Sequence, residues 1–174
     1  VNNCVLKEKK CGVRNAFPFS CPNLKELSLH CKGCRFQNHK GLLDLLNINF
    51  PAENLISFSY EQCCMTTELL YILSECTNLK KLALNYLWNH REETVSKIFR
   101  AISKSENLIW LDLSRNWFPA EQSYKQFIGL LDQLPNLKHL EIGSRNNLVD
   151  RLYNDRKTLD HLTKSLDFLG AHFI

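Results

Sequence analysis

Eight cysteines in 174 residues give this chain its greatest chemical potential. Cys31-x-x-Cys34 and the vicinal Cys63-Cys64 could offer four thiolates to zinc, or a dithiol to redox exchange. The other reactive residue types are less organised. His30, His139 and His172 fall at strand positions and His39, His90 and His161 on loops or helices, with no His-x-x-x-His metal pair. Glu92-Glu93 falls on the solvated side of an expected helix, and no glycine-rich phosphate loop occurs. Catalysis needs such groups to converge in a pocket. None do here, so the reading is non-enzymatic, with no catalytic, cofactor-binding or metal-ligating residue.

Periodicity explains most of the cysteines instead. Residues Leu108 to Phe118 read L-x-x-L-x-L-x-x-N-x-F. With Leu108 as position 1, equivalent residues are Val1, Leu24, Leu55, Leu79, Leu137 and Leu166, giving spacings of 23, 31, 24, 29, 29 and 29 residues. Position 4 is then Cys4, Leu27, Phe58, Leu82, Leu111, Leu140 and Leu169. Position 6 is Leu6, Leu29, Tyr60, Leu84, Leu113, Ile142 and Ala171. Apolar residues alternating with polar ones predict a short strand with one buried face. Asn23, Asn54, Asn78, Asn107 and Asn136 each precede position 1 and mark the register again.

In this frame Cys4 stands at position 4, Cys11 and Cys34 at position 11, Cys63 at position 9, and Cys21 and Cys76 three residues before position 1. These are recurring slots for a small apolar side chain, and free cysteine is among the most buried residue types. Only Cys31 and Cys64 lack such a slot. A zinc set of Cys31, Cys34, Cys63 and Cys64 would mix outward and inward positions. Cys11 and Cys34 would stand roughly 5 Å apart on neighbouring turns, close enough for a disulfide. The remaining cysteines pair with no evident logic, which favours a reducing compartment, cytoplasmic or nuclear.

Helical patterns lie between the strands. Val95, Ile98, Phe99 and Ile102 follow i, i+3, i+4, i+7 spacing, as do Tyr124, Phe127, Ile128 and Leu131. Leu42, Leu43, Leu45 and Leu46 mark another helix, and Leu159, Leu162 and Leu166 the last. Thr66 or Thr67 suits a cap for Glu68–Leu73, and Pro119 suits a first helical turn. Asn116 sits at position 9, where its amide can satisfy backbone groups as the chain leaves the strand; Lys9, Lys32, Leu87, Arg145 and Ile174 break that ladder.

This frame resembles the leucine-rich repeat of the ribonuclease-inhibitor-like class over residues 1–174. The resemblance implies an α/β fold: a right-handed solenoid, or horseshoe, of about six repeats plus a partial seventh. A parallel sheet would line its concave side and helices its convex side. One repeat cannot bury its own apolar face, so neighbours bury each other's. The first residue already occupies position 1 and the end, Gly170 to Ile174, is apolar, so the chain is expected to be part of a longer protein.

Composition bounds the partners. A net charge of +4 and a pI near 8.6 are mild. The basic clusters Lys7, Lys9, Lys10 and Arg145, Arg151, Arg156, Lys157 have no aromatics interleaved in the manner of a stacking platform, which speaks against nucleic acid. No apolar run approaches membrane-spanning length, and no secretion signal is visible.

Strand alternation turns positions 3, 5 and 7 away from the core. The expected partner-binding face therefore holds Glu26, Ser28 and His30, then Ser57, Ser59 and Glu61, then Lys81 and Asn85. It continues through Trp110 and Asp112 to His139 and Glu141, with Tyr86 and Arg115 on the rim. Trp110, flanked by Lys81 and His139, has the make-up of an interface anchor; Trp, Tyr and Arg dominate hot spots at about 2 kcal/mol or more. Trp88 and Trp117 are expected to pack against helices. The reading is a protein-recognition module with no small-molecule substrate and no membrane. Segments such as Cys21-Pro22-Asn23-Leu24-Lys25-Glu26-Leu27-Ser28-Leu29 resemble repeats in substrate-recognition subunits of cullin-type ubiquitin ligases, including F-box and ZYG-11-like proteins. They also resemble repeats of nucleotide-binding innate immune sensors. A disulfide-containing extracellular receptor fragment is the alternative.

Overall fold

The structure, a computed structural model, describes residues 3–8, 23–31, 52–61, 70, 73–86, 92–118, 121–143 and 147–170. Seven strands form one parallel sheet whose neighbours follow chain order: β1 (Asn3–Glu8), β2 (Glu26–Cys31), β3 (Ser57–Glu61), β4 (Lys81–Asn85), β5 (Trp110–Asp112), β6 (His139–Glu141) and β7 (Phe168–Gly170). A 3-10 turn, Ala52–Asn54, precedes β3. Among the described residues, helical residues 73–75 precede β4, and four longer helices follow: α1 (Glu92–Ile102), α2 (Glu121–Leu131), α3 (Asn147–Asn154) and α4 (Arg156–Ser165).

Residues of equal position are lateral partners. Leu27 faces Phe58, Phe58 faces Leu82, and the row runs on through Leu111 and Leu140 to Leu169. Leu27, Phe58, Leu82, Leu111 and Leu140 are buried, as are Leu55, Leu79, Leu108 and Leu137 at position 1 and Tyr60, Leu84, Leu113 and Ile142 at position 6. Apolar burial of this kind stabilises each such side chain by roughly 1.5–3 kcal/mol. Phe99 of α1 ties the helical layer to the sheet: its ring lies 5.5 Å from Phe118, just beyond β5, and 6.2 Å from Phe127 of α2.

The same backbone device launches β3, β4, β5 and β6. Leu55, Leu79, Leu108 and Leu137 donate their N–H to the carbonyl three residues back, on Ala52, Cys76, Ser105 and Leu134. The carbonyl of Lys80 then accepts from both Ile109 and Trp110, that of Ile109 from Lys138 and His139, and that of Lys138 from Asp167 and Phe168. The asparagines before position 1 add side-chain ties between the segments that lead into neighbouring strands. Asn78 Nδ2 donates to the Glu53 carbonyl at 2.8 Å and Asn136 Nδ2 to that of Glu106 at 3.0 Å. Cys76 fills its slot with a buried side chain, its carbonyl accepting from Ser105 Oγ at 3.0 Å.

The expected right-handed horseshoe solenoid, with a helix on each repeat, is corrected to a coarser architecture: an open α/β fold on a single all-parallel sheet. Apolar periodicity dictates which strands are neighbours and which side chains are buried. The curvature of a horseshoe depends on a uniform second layer behind the strands, and the described connections are not uniform. Among the described residues, a three-residue turn stands before β3, helical residues 73–75 before β4, 11-residue helices before β5 and β6, and helices of 8 and 10 residues before β7.

The helices differ in detail from expectation. Val95, Ile98, Phe99 and Ile102 are all buried in α1. In α2 the buried line is Ser123, Phe127 and Leu130, one residue round from the apolar run that marked it, because a small serine turns towards the core. Helix α3, with Leu148, Val149 and Leu152 buried, had no counterpart in the periodicity reading. Several expectations concern residues outside those described: the Leu42–Leu46 helix, the Thr66 and Thr67 caps, Pro119, Trp88, and Cys11, Cys34, Cys63 and Cys64 with their zinc or disulfide pairing. Among the described residues no helix is long and apolar enough to cross a membrane.

Candidate recognition surface

The sheet face opposite the core is built by alternation. In β3 the sequence Ser57-Phe58-Ser59-Tyr60-Glu61 alternates half-buried with buried side chains, as a strand covered on one face requires. Three lateral rows follow. The position-3 row is Glu26, Ser57, Lys81, Trp110, His139 and Phe168. Beside it run Ser28, Ser59, Ala83, Asp112, Glu141 and Gly170. The position-7 row begins His30, Glu61 and Asn85.

The position-3 row becomes aromatic towards β7. Trp110 and His139 are half-buried lateral partners. The His139 ring stacks on Phe168 with centroids 5.9 Å apart and planes 29° from parallel. Phe168 stays 48% exposed, so this strip offers apolar area to a visitor. Glycine at 170 gives the ring room, because a Cβ there would stand 2.9 Å from the Phe168 ring and 3.0 Å from Glu141 Cγ, and those side chains would have to shift.

The middle row sits deeper. Ala83 and Asp112 are buried. Asp112 Oδ1 accepts the Ser114 N–H at 2.7 Å and its Oδ2 accepts from Asn85 Nδ2 at 2.9 Å. Asp112 and Asn85 thus hold one another and the end of β5, leaving Asn85 Oδ1 with no hydrogen-bond partner among the described residues. Their first task is to shape the floor. Glu141 and Glu61 remain half-buried at its edges.

The rim depends on an unusual backbone. Tyr86 (φ 56°) and Arg115 (φ 61°), both at position 8, adopt the left-handed conformation without being glycine, at a cost of roughly 1–2 kcal/mol each. The matched turns bring the two side chains together: the Arg115 guanidinium lies 5.0 Å over the Tyr86 ring. Arg115 Nη1 also approaches Glu61 Oε1 to 3.9 Å, a long pair between an exposed arginine and a half-buried glutamate that contributes little. Asn116 secures the turn from below, its buried amide donating to the carbonyls of Leu84 at 2.5 Å and Leu113 at 2.8 Å. After β6 the left-handed residue comes one position earlier, at Gly143 (φ 66°), where a Cβ would meet Ser114 Cβ at 2.9 Å.

The expected residues therefore separate into groups. Lys81, Trp110, Asp112, His139 and Glu141 lie on three adjoining strands, and Glu61, Asn85, Tyr86 and Arg115 form the neighbouring rim. Glu26, Ser28 and His30 belong to β2, three strand spacings or about 14 Å from the Trp110 strand. Ser57 and Ser59 lie between. Trp117 does not pack against a helix: it is 59% exposed. Phe168, outside the core of the expected site, completes the aromatic strip. The left-handed turns had no signal, since neither position is glycine. Compared with known proteins, the chain matches no family model and no curated protein.

Proposed function

We propose that the open face of the sheet binds a protein partner, with Trp110, His139 and Phe168 as the anchoring strip and no chemistry performed on the partner. The single observation that carries this reading is the partly exposed aromatic row on three adjacent strands. Partly exposed aromatics on a rigid, hydrogen-bonded platform lose little side-chain freedom when covered, which favours a hot spot. The resemblance of segments such as residues 21–29 to repeats of ubiquitin-ligase substrate receptors or innate immune sensors is in keeping with such a role and does not specify the partner. A reducing compartment is proposed with it, in keeping with Cys76 filling a buried core slot.

Quantitative affinity capture from native cells tests the surface. Wild-type, Trp110→Ala and Phe168→Ala baits are compared with Trp117→Ala, which alters an exposed tryptophan elsewhere. Loss of the same proteins with the first two variants and retention with the third is expected; equal capture by all four removes the proposal. For the compartment, titration of the unfolded, non-reduced chain should find eight reactive thiols, one for each cysteine. Paired cysteines would favour an extracellular receptor fragment.

A further inference from the structure

Away from the sheet face, α2, α4 and the segment joining α2 to β6 enclose a cleft of about 710 Å³. Its floor is apolar: Leu134 and Leu162 are buried, and Ile128, Leu131 and Leu166 are half-buried along its walls. Lys138, Lys157 and Lys164 stand around it with His161, against a single acid, Asp132. None of these three lysines is in an ion pair among the described residues. Lysine stems can extend the apolar wall while their ammonium groups stay at the mouth.

A second cleft, between α1 and α2, shows that this arrangement is particular. It is of similar size, about 620 Å³, but its rim mixes Glu93, Lys97 and Arg100 with Gln126 and Gln133. There Lys97 Nζ is already paired with Glu93 at 2.7 Å. That leaves Arg100 as its one cation outside an ion pair among the described residues, against three lysines around the α2–α4 cleft.

We infer that the α2–α4 cleft binds an aliphatic carboxylate, its chain lying on Ile128, Leu131 and Leu166 and its acid group among Lys138, Lys157 and Lys164. The volume falls within the 300–1,000 Å³ range, roughly, of small-ligand sites. Its 14 lining residues are fewer than the roughly 20–30 that one side of a stable protein interface supplies. Charge selects an anion, and the apolar floor selects a chain over a bare ion. The cleft shares no residue with the sheet face, so this inference stands apart from the proposed recognition role.

Isothermal titration with dodecanoate, kept below its micelle concentration, tests the site. The full chain should bind one equivalent saturably, and its melting temperature should rise. Lys157→Glu/Lys164→Glu changes two exposed positions, so it should keep the wild-type helical circular dichroism while weakening dodecanoate at least tenfold. Dodecyltrimethylammonium, with the same tail and opposite charge, should show no saturable binding. Trp110→Ala should bind dodecanoate as wild type does. The inference is overturned by non-saturating dodecanoate heats, by equal binding of the cationic amphiphile, or by a folded double-glutamate variant with unchanged affinity.

Discussion

Trp110 and Leu111 are consecutive residues of β5 that face opposite worlds. Leu111 is wholly buried, between Leu82 and Leu140. Trp110 is half-buried between Lys81 and His139, on a face where charges of both signs and small residues mix. The core face repeats one kind of side chain across the strands, while the open face changes from strand to strand. Uniformity on one side gives a stable platform, and variety on the other gives a surface that can discriminate.

Truncating Leu111 to alanine tests the core side and should have the largest effect. A cavity between neighbouring turns costs about 2–5 kcal/mol, measured by urea denaturation; a loss under about 1 kcal/mol would erase the contrast. Asn116→Ala comes next. It strips the Leu84 and Leu113 carbonyls of their buried donor, and about 1–3 kcal/mol should be lost. An unchanged denaturation midpoint would show that these carbonyls find other donors. Gly143→Ala should cost about 1–2 kcal/mol, from its left-handed backbone and the Ser114 contact. A neutral result would mean that the turn after β6 readjusts freely. Trp110→Ala should change stability by less than about 1 kcal/mol and yet reduce partner capture. A large drop in melting temperature would move this tryptophan to the structural side of the comparison.

A separate test concerns pH. Burial pushes the Cys76 thiol up from 9.0 to about 12. Burial and the hydrogen bond donated to Asp155 push the Tyr124 phenol from 10.0 to about 12. Both groups have folded-state pKa values above their unfolded values. Their contribution is therefore fully present below about pH 9 and is lost as pH rises towards 12. Melting temperature should fall above pH 9 in the wild type, and less steeply in a Cys76→Ala/Tyr124→Phe variant. Parallel curves for the two proteins would contradict this.

The lateral order of the strands was legible because apolar residues at positions 1, 4 and 6 permit one register, and a one-residue slip would expose them all. The role of Asn116 was legible too, since an asparagine just past a strand has unpaired carbonyls to serve. The overall shape was not. It depends on how the connections fill the second layer, and spacing alone does not reveal that a serine, Ser123, faces the core or that two helices precede β7. On the open face, alternation identified Trp110 and His139. It did not show that Asp112 and Asn85 engage each other, or that Tyr86 and Arg115 meet through left-handed turns. Side-chain pairing of that kind leaves no period in a sequence.

The paired N–H groups sharing one carbonyl at the start of β5, β6 and β7 have a consequence for how the chain can change. Each strand is clamped to its predecessor where it begins, so the length of the segment before it has little influence on alignment. Extra residues placed in a connection would bulge outward and leave the strands in step, and the fold can gain or lose loop length while its platform keeps its layout.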